Sequence, residues 1–84
     1  MDQKSVLIVE DEGEIRELLK IILEAEYPDI QVREAASGNE AIRLIKSGQS
    51  FDAIFSDYNM NDGTGGDLFV YLLNQGPKIP FILI

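Results

Sequence analysis

The chain has 84 residues, of which 45% are hydrophobic and 26% charged, a composition typical of one small globular domain. It contains no Cys and no His, which excludes disulfides, thiolate metal sites, a cysteine nucleophile and a Ser-His-Asp triad. Fifteen acidic residues against seven basic ones give a net charge of −8, so we expect no nucleic-acid binding and only hard, oxygen-ligated metal ions.

No stretch of the sequence has the length and apolar character of a transmembrane helix. The N-terminus leads into a strand-like run without the architecture of a signal peptide. No repeat or linker divides the chain. We therefore expect residues 1–84 to form a single cytoplasmic domain without membrane contact.

The first part of the chain predicts a strand, a helix and a second strand. Residues 5–9 are a continuous β-branched apolar run, which is typical of a buried strand. Residues 30–35 alternate in polarity and predict another strand. Between them, before Pro28, apolar residues recur at helical spacing and predict a helix with one apolar face: Ile15, Leu18, Leu19, Ile22 and Leu23.

A second helix follows. Ser37 and Glu40 have the spacing of a capping box at its start, and Gly48 is expected to end it. The residues expected to face the core are Ala41, Leu44 and Ile45.

The remaining sequence predicts a strand over residues 51–56, a polar glycine-rich loop over 57–66, and a fourth strand over 79–84. Thr64 and Asp67 resemble a second capping box for a third helix between loop and strand. Leu68, Tyr71 and Leu72 form the inner face of this helix, which ends near Gly76 and Pro77. The resulting order, β-α-β-α-β-α-β, predicts an α/β fold with a parallel sheet and helices on both faces.

Acidic residues follow two of the four predicted strands. Glu10 and Asp11 end the first strand, and Asp57 ends the third. If these strands are neighbours, their ends lie about 5 Å apart at one edge of the sheet. Each like-charge pair at about 4 Å costs on the order of 4 kcal/mol at an effective dielectric constant of about 20. No basic residue is clearly placed to relieve this repulsion, and Arg16 is the only candidate nearby. One such acid usually caps a helix, but three on matching edges favour a Mg²⁺ site.

Two motifs stand out at these strand ends: Val6-Leu7-Ile8-Val9-Glu10-Asp11-Glu12 and Ser56-Asp57-Tyr58-Asn59-Met60, with Gly65 beyond the second. Together they resemble the receiver domain of bacterial two-component response regulators, and the resemblance covers the whole chain. It implies a flavodoxin-like doubly wound sheet with strand order 2-1-3-4.

The same resemblance implies the roles of the site residues. Asp57 would be the phosphoacceptor, taking a phosphoryl group from a sensor histidine kinase or a phosphotransfer protein. The domain would act in signalling and would at most catalyse its own phosphorylation, so it is not expected to be an enzyme. Glu10, Asp11, Asp57 and the backbone carbonyl of Asn59 would hold Mg²⁺, and Tyr58 and Met60 would line the site.

The sequence departs from the family pattern in two ways. Asn61 follows Met60 where the family has Pro. Family domains have five strands and five helices, so the fifth strand, the last two helices, the switch Ser or Thr and the active-site Lys are not found here. We therefore expect residues 1–84 to be a C-terminally truncated, partial receiver domain with slow or abolished phosphotransfer and no output switch.

A fourth strand without a fifth beside it would leave a free apolar edge. Such an edge pairs readily with another chain, so we expect a homodimer or swapped assembly through Ile79, Phe81 and Leu83. Pro80 would limit this pairing at one position. We also expect an uncovered apolar patch over the third and fourth strands.

Other functions explain less of the sequence. Asp57, Asn59 and Asn61 resemble the first half of a Ca²⁺-binding EF-hand loop, but Asp62 and Leu68 occupy the positions that require Gly and Glu. The main alternative to a phosphoaccepting receiver is a receiver-like interaction or dimerisation module that binds metal but does not switch.

Overall fold

The computed structural model describes residues 3–58 and 64–84. The strands are β1 (Ser5–Val9), β2 (Gln31–Ala35), β3 (Ala53–Ser56) and β4 (Phe81–Leu83). The helices are α1 (Gly13–Glu26), α2 (Gly38–Lys46) and α3 (Gly65–Asn74). The predicted alternation of strands and helices is confirmed. None of these helices has the length and apolar character needed to cross a membrane.

All strand pairs in the sheet are parallel, and the order is β2-β1-β3-β4. Val9, the last residue of β1, is in register with Ala35 on one side and with Ser56 on the other. The carboxyl ends of the three strands therefore meet at one edge. The flavodoxin-like fold class and its predicted strand order are confirmed.

The main core lies between the sheet and helices α2 and α3. Leu7, Val9 and Ile54 on this face of the sheet are completely buried. Two predicted inner residues of the helices, Leu44 and Tyr71, are half-buried at the core edge, and the other four are buried. The buried helical side chains are Ala41, Ile45, Leu68 and Leu72.

The opposite face of the sheet is covered less completely. Helix α1 packs against β1 and β2, but no residue of α1 is fully buried. Leu18 is 56% exposed although it belongs to the predicted apolar face. Phe55 of β3 is half-buried, and Ile82 beside it on β4 is exposed. Among the described residues, no second helix covers this face, and the predicted apolar patch over β3 and β4 is present.

The helix ends agree with the capping predictions, with one change in detail. The Ser37 hydroxyl accepts a hydrogen bond from the Glu40 N–H, while the Glu40 carboxylate accepts one from the N–H of Ala36, one residue before the expected partner. Thr64 and Asp67 form a complete, reciprocal capping box. It starts α3 at Gly65, so the predicted loop over 57–66 extends two residues too far.

Two structural details bear on the bounds of α2 and β4. Gly48 has a φ of 98°, a left-handed conformation that lacks the usual penalty only in glycine, and it follows α2 as predicted. Strand β4 is shorter than the predicted 79–84. Pro80 accepts a hydrogen bond from the Ile54 N–H through its carbonyl, but it has no N–H of its own to donate.

Candidate functional site

Three carboxylates come together at the carboxyl edge of the sheet. Glu10, Asp11 and Asp57 each place one oxygen so that the three oxygens lie within 4.8 Å of one another. Glu10 is buried, and the two aspartates are partly buried. Of the three predicted site residues after Asp57, Tyr58 is described, and Asn59 and Met60 lie outside the described residues.

Backbone hydrogen bonds across the sheet position these acids. The N–H of Asp57 donates to the Val9 carbonyl at 3.0 Å, which joins the end of β3 to the end of β1. The N–H of Glu10 donates to the Ala35 carbonyl at 3.1 Å and joins β1 to β2. The acids are thus attached to the central strands of the sheet, and their proximity follows from parallel pairing.

Residues 56–58, at the end of β3, are packed tightly against the start of α3. The Ser56 hydroxyl donates to the Asp57 carbonyl at 2.8 Å, and the Gly65 N–H donates to the Tyr58 carbonyl at 2.9 Å. A Cβ added at Gly65 would overlap the Asp57 carbonyl oxygen. Tyr58, a predicted site-lining residue, is 54% exposed, and its ring lies against Gly66.

The pKa of Glu10 reflects its crowded surroundings. Burial raises the pKa of this carboxyl above its ordinary value of 4.5. A hydrogen bond from the Glu12 N–H, at 3.2 Å, acts in the opposite direction. The negative charges of Asp57 and Asp11 add to the increase. Glu10 is therefore held where its negative charge is unfavourable unless a cation compensates it.

Arg16, the one basic residue that the sequence places near the acidic cluster, makes its contacts beside the cluster. Its Nη1 donates to the backbone carbonyl of Glu10 at 2.7 Å, and its Nε donates to the Glu34 carboxylate at 3.3 Å. Lys20 approaches the same carboxylate at 3.7 Å. Within the described part of the chain, the ion pairs of these two cations are with Glu34 and not with the acidic cluster. This agrees with the sequence, in which no basic residue was clearly placed to relieve the repulsion within the cluster.

The donor set fits a hard divalent cation. Carboxylate oxygens are the ligands that Mg²⁺ prefers, and it is commonly bound through one or two carboxylates together with waters. The buried Glu10 and the two neighbouring aspartates supply negative charge that such an ion would neutralise. Glu10, Asp11 and Asp57 are thus the described residues that could hold it.

Two residues at this edge were not identified as site residues from sequence. Glu34 is opposite Ile8 in the β1–β2 register and faces α1, where it pairs with Arg16. The available indication in the sequence was its place in an alternating strand, on the same face as Val32. Gly65 was noted for its place after the second motif, but its close approach to the Asp57 carbonyl depends on tertiary packing.

The chain matches known proteins over nearly all of its length. The family model described as "Response regulator receiver domain" matches residues 6–84. The response regulator protein PilR of Pseudomonas aeruginosa is 37% identical over 84 residues, which cover 100% of this chain and 18% of PilR. This chain therefore spans less than a fifth of that relative.

Solved structures agree with this match. A CheY-like response regulator receiver domain from Methylobacillus flagellatus is 30% identical with a TM-score of 0.81, covering 98% of this chain and 69% of that one. The response regulator TrrA of Thermotoga maritima, solved in complex with Mg²⁺–BeF, is 29% identical with a TM-score of 0.84, covering 95% and 67%. The sequence match, the sheet order and the acidic edge agree, and the chain belongs to the response regulator receiver domain family.

Proposed function

We propose that this receiver domain accepts a phosphoryl group on Asp57 from the phosphohistidine of a sensor histidine kinase or a phosphotransfer protein. Mg²⁺ would be held by Glu10, Asp11 and Asp57, with the backbone carbonyl of Asn59 as a further ligand. The observation that carries the proposal is the cluster of three carboxylate oxygens within 4.8 Å at the carboxyl edge of the sheet.

The chemistry needs little beyond a positioned carboxylate. An Asp57 oxygen attacks phosphorus, a P–O bond forms, and the P–N bond breaks with its electron pair remaining on the imidazole nitrogen. A bound Mg²⁺ supplies neutralisation of negative charge on the phosphoryl oxygens. The hydrogen bond from the Asp57 N–H to Val9 keeps the nucleophile beside Glu10 and Asp11. In this proposal the chain acts as a signalling domain that at most promotes its own phosphorylation.

The relatives support this role by analogy. TrrA, whose solved complex contains Mg²⁺–BeF, has a similar fold over 95% of this chain. The family match favours a phosphoaccepting receiver over the alternative of an interaction module that binds metal without switching. We further propose that residues 1–84 form one receiver unit and that it works in the cytoplasm, where we do not expect it to bind nucleic acid.

A second copy of the chain is the proposed partner at the sheet edge. Strand β4 lies at one edge of the described sheet, and it carries the exposed residues Ile82 and Leu83 next to the half-buried Phe81. Of the predicted contact residues, Ile79 lies before the strand and is half-buried. An apolar edge strand with unpaired backbone groups is suited to pairing with another strand, which supports a homodimer or swapped assembly.

Intact-mass measurement tests the phosphoacceptor. The chain would be incubated with Mg²⁺ and a small-molecule phosphodonor, beside Asp57→Asn and the exposed control Asp29→Asn. We expect one phosphoryl group to be added, slowly, to the unchanged chain and to Asp29→Asn, and none to be added to Asp57→Asn. Equal labelling of Asp57→Asn, or no labelling of the folded unchanged chain, would contradict the proposal.

A further inference from the structure

The side chain of Arg16 connects three parts of the fold at the acidic edge. It extends from the beginning of α1, donates at 2.7 Å to the Glu10 carbonyl after β1, and donates at 3.3 Å to Glu34 on β2. Arg16 is partly buried, with 24% of its side chain exposed. A guanidinium has the fixed, divergent donors that such a double contact requires.

Both backbone polar groups of Glu10 are hydrogen-bonded. Its N–H donates to the Ala35 carbonyl at 3.1 Å, and its carbonyl accepts from Arg16. The next turn is tied to the same helix, because the Arg16 N–H donates to the Glu12 carbonyl at 2.9 Å. Arg16 therefore binds the turn between β1 and α1 through its backbone and through its side chain. That turn carries Glu10 and Asp11.

The positive charge of Arg16, considered apart from its contacts, is unfavourable for cation binding at the acidic edge. A positive charge beside a metal site repels the metal ion. One turn from the N-terminus of α1, the helix dipole also disfavours a cation. Simple charge balance predicts that removing Arg16 would tighten Mg²⁺ binding. A positioning role predicts the opposite, because the two carboxylates would lose their fixed placement.

We propose that Arg16 is a positioning residue for the cation site, with Glu34 orienting its guanidinium. This inference rests on the proposed function, since it concerns the Mg²⁺ that Glu10 and Asp11 would hold. Arg16 sets Mg²⁺ affinity by fixing the β1–α1 turn and does not itself contact the ion. Groups that hold metal ligands in place commonly change metal affinity by about 10- to 100-fold when they are removed.

Lys20 offers a matched control. It pairs with the same Glu34 carboxylate at 3.7 Å and is similarly exposed, at 32% against 24% for Arg16. The described contacts link Lys20 to Glu34 but not to the β1–α1 turn. Arg16→Gln and Lys20→Gln each remove one positive charge from the same network. A difference between them isolates the contact of Arg16 with Glu10.

Isothermal titration of the full chain with MgCl₂ tests the inference. We expect Arg16→Gln to bind Mg²⁺ about tenfold more weakly than the unchanged chain. Lys20→Gln should bind as well as the unchanged chain or more tightly. Circular dichroism would show that each variant is folded. Equal or tighter binding by Arg16→Gln would overturn the positioning role.

Two further variants separate geometry from charge and guard against misfolding of Arg16→Gln. Arg16→Lys keeps the charge but cannot reproduce the planar fork, so its affinity should stay below that of the unchanged chain. Full recovery in Arg16→Lys would overturn the geometric account. Glu34→Gln removes the charged partner of the guanidinium and should weaken binding less than Arg16→Gln does. If Glu34→Gln binds Mg²⁺ as tightly as the unchanged chain or more tightly, Glu34 does not orient Arg16 and the inference fails.

Failure of this inference can be distinguished from failure of the proposed function. Mg²⁺ binding by the unchanged chain without phosphorylation of Asp57 would contradict the proposed function, while the affinity comparison would still decide the role of Arg16. Phosphorylation of Asp57 with equal Mg²⁺ affinity in Arg16→Gln would overturn only the inference. Absence of Mg²⁺ binding by the unchanged chain would overturn both.

Discussion

The backbone N–H of Asp57 donates a 3.0 Å hydrogen bond to the carbonyl of Val9, the residue immediately before Glu10. This bond continues the β1–β3 pairing by one residue beyond β3. It places the proposed phosphoacceptor beside the proposed metal ligands, and the pairing of β1 with β3 fixes their relative positions. Changes to the backbone around Asp57 should therefore affect the acidic cluster more than changes on neighbouring exposed surfaces.

Gly65→Ala should disturb the site. Its new Cβ would overlap the Asp57 carbonyl oxygen, a backbone atom that cannot rotate away. We expect phosphorylation of Asp57 to fall at least tenfold, since a displacement corresponding to about 1.4 kcal/mol in the barrier already has that effect. Gly66→Ala is the control, because the three atoms nearest to its Cβ all belong to the exposed side chain of Tyr58. Phosphorylation rates measured by intact mass should be near normal in Gly66→Ala, and equal rates in the two variants would refute the steric argument.

Glu10 should make the folded chain less stable as pH rises. Its pKa is raised above 4.5 in the folded state, so the folded chain retains a proton that the unfolded chain releases. In the absence of divalent cations, the free energy of unfolding should decrease as pH rises from 4.5 through the raised folded pKa, and then stop changing on account of this group.

Urea unfolding of Glu10→Gln across this pH range checks the sign. The stability of Glu10→Gln relative to the unchanged chain should increase with pH, because Gln cannot acquire the unfavourable charge. Glu24→Gln, on the exposed side of α1, serves as the control. A constant difference between Glu10→Gln and the unchanged chain would show that the charge of Glu10 is not what destabilises the fold.

Asp11→Asn should have opposite effects with and without Mg²⁺. Without the ion, removing one negative charge from the cluster relieves repulsion and raises the free energy of unfolding. With Mg²⁺ at ten times its dissociation constant, the unchanged chain should gain about 1.4 kcal/mol, and Asp11→Asn should gain much less. Urea unfolding at matched ionic strength measures both effects. An equal Mg²⁺-induced gain in the two proteins would exclude Asp11 as a ligand.

Ile82→Lys should weaken self-association. Ile82 is 39% exposed on the edge strand β4, and a charge on an edge strand opposes pairing with another strand. Light scattering over a concentration series should show a dimer for the unchanged chain and a shift toward monomer for Ile82→Lys. Val70→Lys makes the same change at an exposed position of α3. A monomeric unchanged chain, or equal effects of the two substitutions, would argue against pairing through β4.

The positions of the acids were predictable because they depend on a simple rule. Alternating strands and helices imply a parallel sheet, and residues following its strands meet at one edge. Glu10, Asp11 and Asp57 directly follow β1 and β3, so their proximity required only that these strands be neighbours. The family resemblance implied that β1 and β3 are neighbours, and the structure confirms this.

Side-chain partners were harder to predict. Arg16 has a long, flexible side chain, and sequence spacing shows only that it lies near the acidic edge. Its choice of the Glu10 carbonyl and Glu34 depends on the β1–β2 register and on the angle of α1 over the sheet. The exposure of Leu18 could not be predicted either. A helical apolar pattern shows which side of a helix is hydrophobic but not how much of that side is covered.

The bond between Asp57 and Val9 also bears on when during folding the site appears. Its two residues lie far apart in the chain, and β2 with two helices must be accommodated between them. Closing so long a loop has an entropic cost that is recovered only when native long-range contacts form. A nascent or partly folded chain would therefore carry the same acidic residues without the clustered site. Reactivity at Asp57 should appear only once β3 has paired with β1, so that phosphorylation reports completed folding of the central sheet.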